Sequence, residues 1–199
     1  MQQLTVIENV TLDGVMQAPG RADEDTRDGF RDGGWAVPYG DEMLGRAMGE
    51  RMTCGGSLVL GRRTYEDFAG YWPGRSDNPF TPVLDAATKH VASRTLRDPL
   101  PWQNSVLLGD DAGAAVAALK QEPGPGIGVL GSGDLVRTLM ARDLVDELLL
   151  LIHPLVLGRG RRLFADGTPP ASFRLASSTA TTTGVIMATL RPDGRQEDR

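Results

Sequence analysis

Three places in the chain set a small or hydroxyl residue, and then a charge, directly after a short apolar run. SLVLG at 57–61 ends in Gly61 and runs into Arg62, Arg63 and Thr64. IGVLG at 127–131 ends in Gly131 and runs into Ser132, Gly133 and Asp134. HVAS at 90–93 ends in Ser93 and is followed by Arg94. Small residues at a strand end let backbone N–H groups come close to a ligand, and a helix that opens there favours an anion. Arginine adds charge and a planar donor fork suited to phosphate. Singly, each segment reads as an ordinary strand-to-helix turn or a solvated arginine pair. Three such ends in one α/β sheet fit the rule that ligands bind at the carboxyl edge of the strands, and together they point to a phosphate-rich ligand such as a dinucleotide. The glycine spacing of GIGVLG at 126–131 is a false match to the dinucleotide fingerprint, because its apolar residues sit inside the pattern.

Other chemistry is sparse. Asp41 and Glu42 follow Val37-Pro38-Tyr39-Gly40 and could cap a helix or supply a proton, with capping the favoured reading. His153, at the end of an apolar run and before Pro154, reads as a satisfied buried imidazole rather than a catalytic base. Cys54 follows a helix end, which gives no thiolate activation. One cysteine and two histidines exclude a disulfide framework and a cysteine- or histidine-rich metal site, so no metal is expected. No GxxxxGK[ST] loop and no GxSxG elbow occur. A net charge of −5 lacks the basic field that nucleic-acid binding needs. The longest apolar run, LLLLI at 148–152, is too short to span a bilayer, and the first ten residues lack the pattern of a secretory signal. A cytoplasmic protein that binds neither nucleic acid nor membrane is the expectation.

These residues need elements to hold them. With 199 residues, 40% hydrophobic and 24% charged, the chain suits one domain with a real core, taken as 1–192, followed by a charged tail at 193–199 expected to fray. Short apolar runs predict strands at 4–9, 57–61, 90–93, 105–109, 127–131 and 145–154. Helical spacing predicts helices over 41–53, after 61, over 112–121 and over 134–143. The first of these carries Met43, Leu44, Ala47, Met48 and Met52 on its apolar face; the last carries Leu135, Val136, Leu139 and Met140. Two β-rich runs, 173–181 and 182–192, predict a closing antiparallel hairpin, which makes the sheet mixed.

In order and spacing, TLDG (11–14), GGWAVPYGDE (33–42), LGRRTYEDFAGYWP (60–73), HVASRTL (90–96), VLGSGDLVRTL (129–139) and LVDELLLLIHPLVLGRGRRLF (144–164) resemble the dihydrofolate reductase superfamily. The resembling branch is that of the C-terminal reductase domain of riboflavin-biosynthesis deaminase-reductases, and the likeness covers nearly the whole chain. It implies a three-layer α/β/α fold around a mixed, mostly parallel sheet with an antiparallel end, and NADPH as hydride donor to a small heterocyclic or sugar-derived substrate. Carried across by position, Gly61, Arg62, Arg63 and Thr64 would bind the pyrophosphate and the 2′-phosphate side. Ser93 and Arg94 would flank the adenosine 2′-phosphate, and Gly131, Ser132 and Gly133 would hold the pyrophosphate against the helix at Asp134. The loop Leu12-Asp13-Gly14 would close near the nicotinamide. Asp41, with Glu42 beside it, would be the carboxylate supporting protonation of the substrate. Arg159, Arg161 and Arg162 would hold a substrate phosphate, or else form a solvated turn. The resemblance also implies a homodimer. It leaves three activities open: one similar to 5-amino-6-(5-phosphoribosylamino)uracil reductase, a dihydrofolate or pteridine reductase, and a non-catalytic NADPH-binding protein. The chain has no zinc-deaminase signature, so in a riboflavin pathway another protein would supply deamination.

Overall fold

A computed structural model describes residues 1–53 and 56–193. Cys54 and positions 194–199 of the tail lie outside the described residues. The elements run β1 (Leu4–Thr11), α1 (Glu42–Thr53), β2 (Ser57–Gly61), α2 (Arg62–Tyr71), α3 (Thr81–Ala86), β3 (Thr88–Ala92), β4 (Ser105–Leu108), α4 (Ala112–Gln121), β5 (Ile127–Leu130), α5 (Gly133–Met140), β6 (Glu147–His153), β7 (Phe173–Ala180) and β8 (Ile186–Pro192). Hydrogen bonding links all eight strands in the order β4-β3-β2-β5-β1-β6-β8-β7. Pairs β2–β3, β2–β5 and β3–β4 are parallel, whereas β6–β8 and β7–β8 are antiparallel. The sheet is mixed, mostly parallel, with a C-terminal antiparallel hairpin, as the pattern of runs predicts.

Two compact units make up the chain: residues 1–6 with 46–145, and residues 7–45 with those from 146 onward. In the first, Val59, Leu60, Val91 and Val129 on the parallel strands are fully buried, which is why those runs read as continuous apolar stretches. Leu60, Tyr65, Leu84, Val91 and Trp102 form a core cluster. Both large aromatics keep their polar ends satisfied: Trp102 N–H donates to the Tyr65 hydroxyl at 3.1 Å, and Trp102 Nε1 donates to Asp85 Oδ1 at 2.6 Å. The α5 face falls where the spacing puts it, with Leu135, Val136 and Leu139 buried.

The short helix α3 has no counterpart in the sequence reading. Six residues carry no usable periodicity, and Pro82 sits in its first turn, where a missing N–H does no harm. Its end is held by Lys89, a fully buried cation. The ammonium donates to the carbonyls of Leu84 at 2.7 Å, Asp85 at 3.2 Å and Ala87 at 2.8 Å, and lies 4.3 Å from the centre of the Trp102 ring. Burial lowers its pKa to about 8.

In the second unit, β6 is buried along almost its whole length and pairs with β8 from Leu148 opposite Leu190 to Ile152 opposite Ile186. β7 forms the edge strand and is largely exposed. The hairpin turn takes more residues than the β-rich pattern implies. Thr181 N–H donates to the Val185 carbonyl at 2.8 Å and Gly184 N–H to the Thr181 carbonyl at 3.1 Å, so β8 begins at Ile186 rather than at 182. The segment before α1 builds its own small core from Val15, Ala18, Phe30 and Trp35. α1 starts at Glu42; of its expected apolar face, Met43 is exposed while Leu44, Ala47 and Met48 are half-buried. Among the described residues no helix is long and apolar enough to cross a membrane.

Candidate functional site

The three segments singled out by their residue types meet at one sheet edge in the first unit. β2 lies between β3 and β5, with Gly61 opposite Ala92 of β3 and Val59 opposite Val129 of β5. Gly61, Gly131 and Ser93 therefore all leave the sheet at the carboxyl ends of adjacent parallel strands. α2 starts at Arg62 immediately after Gly61, and α5 starts at Gly133 immediately after Ser132. The residue in the cap position of each helix makes no side-chain capping bond, so the N–H groups of both first turns keep their capacity for an anion.

The two turns interlock. A Cβ on Gly61 would lie 1.9 Å from Ser132 Oγ, and a Cβ on Gly131 would lie 2.6 Å from Thr64 Oγ1. Gly131 has φ +55°, in the left-handed region where side chains are disfavoured. Ser132 Oγ and Thr64 Oγ1 lie 3.4 Å apart, and the Gly131–Ser132 peptide bond is cis. Around this cradle, Arg62 Nη1 contacts both Glu66 carboxylate oxygens at 2.9 and 3.1 Å, and Arg63 and Arg94 are exposed. The Ser93 hydroxyl oxygen accepts from the N–H groups of Thr95 at 3.2 Å and Leu96 at 3.0 Å, which turns the chain and presents Arg94. Asp134 is exposed and pairs with Arg137 one turn along α5.

The remaining candidates belong to the second unit. Asp13 is a staple. Its Oδ1 accepts from Thr11 Oγ1 at 2.6 Å and Leu157 N–H at 3.2 Å, and its Oδ2 from Gly158 N–H at 2.9 Å. Arg162 Nε donates to the Asp13 carbonyl at 2.8 Å, and Gly14 follows in the same turn, its carbonyl accepting from Leu163 N–H at 3.0 Å. The Thr11 hydroxyl, with the backbone donors, holds the Asp13 carboxyl at about 2.

Asp41 is likewise committed. Oδ1 accepts from Leu44 N–H at 2.8 Å, capping α1, while Oδ2 accepts from Thr182 Oγ1 at 2.5 Å and from the N–H groups of Thr182 at 2.8 Å and Thr183 at 3.3 Å. The Thr182 hydroxyl and then the backbone donors hold its pKa at about 2. Near neutral pH the side chain is therefore ionised. The bond from Leu44 N–H is the helix cap that the residue types favour. Glu42 is exposed in the first turn of α1, where the helix dipole favours a carboxylate.

His153 is the buried imidazole that its place in the sequence predicts, though only one ring nitrogen is bonded among the described residues. It is fully buried, with edge-on contacts to Trp35 at 5.1 Å and Tyr39 at 5.6 Å between ring centres. Nε2 meets Asn9 Oδ1 at 2.9 Å, but Nδ1 finds no hydrogen-bond partner among the described residues, so the imidazole is only half satisfied. Burial lowers its pKa to about 4, which keeps it neutral. The arginines of the 158–162 loop are exposed, and each is paired with a carboxylate: Arg159 with Asp32, Arg161 with Asp28 and Arg162 with Asp13. Asn9, Asp28 and Asp32 are absent from the sequence reading, because partners 127 to 144 residues away leave no local signal. No group of three or more metal-ligating side chains occurs among the described residues.

Residues 2–187 match the RibD C-terminal domain family. The uncharacterized protein YyaP of Bacillus subtilis is 28% identical over 135 residues, which are 65% of this chain and 70% of YyaP. A protein of Shewanella sp. PV-4, provisionally described as a riboflavin biosynthesis protein, superposes with a TM-score of 0.66 at 20% identity, covering 96% of this chain and 99% of its own. The diaminohydroxyphosphoribosylaminopyrimidine deaminase/5-amino-6-(5-phosphoribosylamino)uracil reductase of Thermotoga maritima superposes with a TM-score of 0.64 at 15% identity. That likeness covers 96% of this chain but only 56% of the Thermotoga protein.

Proposed function

Because the chain belongs to the RibD C-terminal domain family, we propose that it is an NADPH-dependent reductase of a small heterocyclic or sugar-derived compound. One observation carries the reading: two interlocked glycine turns open two helices without side-chain caps at adjacent parallel strand ends. A dinucleotide fits this cradle. Its pyrophosphate needs backbone N–H donors and close backbone approach, which Gly61 and Gly131–Gly133 supply. Arg63 and Arg94 would neutralise the additional 2′-phosphate, with Arg62 shared with Glu66, and that is where NADPH and NADH part.

NADPH, when bound, supplies the hydride. What the chain supplies is placement. Thr64 and Ser132 fix the two turns against each other, Ser93 turns Arg94 outward, and Asp134 starts α5 beside the pyrophosphate turn. In the second unit Asp13 and Asp41 act as positioning residues, fixing the 11–14 loop and the start of α1 to their neighbours.

The test is a fluorescence titration of the purified protein with NADPH and with NADH. Saturable NADPH binding, far weaker NADH binding, and loss of that preference in Arg94→Ala are the expected results. Equal affinity for both, or binding untouched by Arg63→Ala/Arg94→Ala, would remove the cofactor assignment.

A further inference from the structure

The loop Gly158–Leu163 puts three arginines into four residues and is the strongest concentration of positive charge in the sequence. Left open, three guanidinium groups on a glycine-bearing loop would make a ready site for a phosphate. In this chain they are already taken. Arg159 meets Asp32 in a two-pronged contact, Nε to Oδ2 at 2.6 Å and Nη2 to Oδ1 at 3.0 Å. Arg161 Nη2 meets Asp28 Oδ2 at 2.8 Å. Arg162 donates its Nε to the Asp13 carbonyl and lies 3.6 Å from the Asp13 carboxylate.

The backbone holds these pairs in place. Arg161 N–H donates to Gln17 Oε1 at 3.0 Å, Met16 N–H to the Arg161 carbonyl at 2.9 Å, and Leu163 N–H to the Gly14 carbonyl at 3.0 Å. Gln17 also ties down the aspartate-bearing segment, its amide donating to the carbonyls of Asp25 and Arg27 at 3.2 Å each. Asp28 itself has φ 58° and ψ 24°, a left-handed backbone conformation uncommon for a residue with a side chain, in the turn that delivers its carboxylate to Arg161. Beside the loop, the exposed apolar side chains of Leu12 and Val156 flank a 2.9 Å backbone bond from Leu12 to Leu155.

We infer that Asp28 and Asp32 fill the arginine loop from within and bar phosphate-bearing compounds from it. The exclusion rests on the loop alone and stands apart from the reductase reading. A tethered carboxylate competes at an effective concentration in the millimolar range or above, so free phosphate must reach that range to displace it. The pairs are exposed, so they add little to stability, and removing them should leave the fold intact.

The experiment follows the backbone amide NMR signals of Gly158 and Gly160 during titration with inorganic phosphate at fixed ionic strength. Phosphate held elsewhere on the chain would not saturate those two signals. In Asp28→Asn/Asp32→Asn the apparent dissociation constant should fall severalfold, up to about thirtyfold, below wild type, two exposed pairs having been removed. Adding Arg159→Gln/Arg161→Gln should abolish the gain. Asp98→Asn/Asp110→Asn, which changes net charge equally in the other unit, should give no gain. The inference is overturned if wild type and Asp28→Asn/Asp32→Asn agree within about twofold, or if the charge control gains as much. Saturation in wild type at low millimolar phosphate that Arg159→Gln/Arg161→Gln removes would overturn it too, and that arm needs no aspartate variant to fold. Failure to bind NADPH would sink the reductase reading and leave this comparison standing.

Discussion

Replacing Gly131 by alanine tests the cradle where it is tightest. The new Cβ would stand 2.6 Å from Thr64 Oγ1 and 3.3 Å from Thr64 Cγ2, on a backbone held at φ +55°. The backbone conformation alone costs a residue with a side chain about 1 kcal/mol, and displacing a packed neighbour adds about 1–3 kcal/mol. The sum, about 2–4 kcal/mol, corresponds to a fall in Tm of roughly 5–15 °C for a chain of this size. Gly74→Ala is the matched control, since Gly74 has φ +79° and nothing within 4 Å of its Cβ position. It should lose only the backbone contribution, about 1 kcal/mol, and bind NADPH normally. In Gly131→Ala the displaced Thr64 and Ser132 should weaken NADPH binding by about tenfold or more. Urea unfolding and fluorescence titration of the two variants side by side give both numbers. Equal destabilisation of the two, or a destabilised Gly131→Ala with wild-type NADPH affinity, would refute the reasoning.

Three further outcomes are expected. Asp41 has a folded pKa of about 2 against an ordinary 3.8, so its ionised form contributes stability that is present above pH 4 and lost as pH falls towards 2. Asp41→Asn should therefore lower Tm at neutral pH and flatten the acid limb of the Tm profile in that window; an unchanged acid limb would contradict the double tie to α1 and the hairpin turn. For His153, with a folded pKa of about 4 against 6.5, the unfolded chain takes up the proton first. Stability should fall by about 3 kcal/mol as pH drops from 6.5 to 4, and His153→Gln should remove that slope in denaturant titrations. Lys89→Met should cost about 2–4 kcal/mol by urea unfolding, because the Leu84, Asp85 and Ala87 carbonyls lose their shared donor; a neutral result would mean that those groups find other partners.

Much of this arrangement was legible in the sequence, and the boundary of legibility has a physical cause. Runs such as 57–61 and 127–130 declare themselves because strands buried on both faces have no reason to alternate. The α5 face is readable because Leu135, Val136 and Leu139 recur at helical spacing. Local small-residue and charge patterns located Gly61, Ser93 and Gly131, and the parallel register then brought them to one edge. What stayed hidden depends on contacts remote in the chain. Nothing near Asp41 announces Thr182, and nothing near Arg159 announces Asp32. Lys89 looks like a solvated charge until α3, itself too short to read, lends it three carbonyls. The half-satisfied state of His153 is a property of packing between Trp35 and Tyr39, which no spacing encodes.

The most direct test of the central claim is a crystal structure of the protein grown with NADPH. The account predicts the pyrophosphate within hydrogen-bonding distance of backbone N–H groups in the first turns of α2 and α5, with the 2′-phosphate beside Arg63 or Arg94. A dinucleotide bound away from Gly61 and Gly131, or a cradle that stays empty at saturating NADPH, would contradict it.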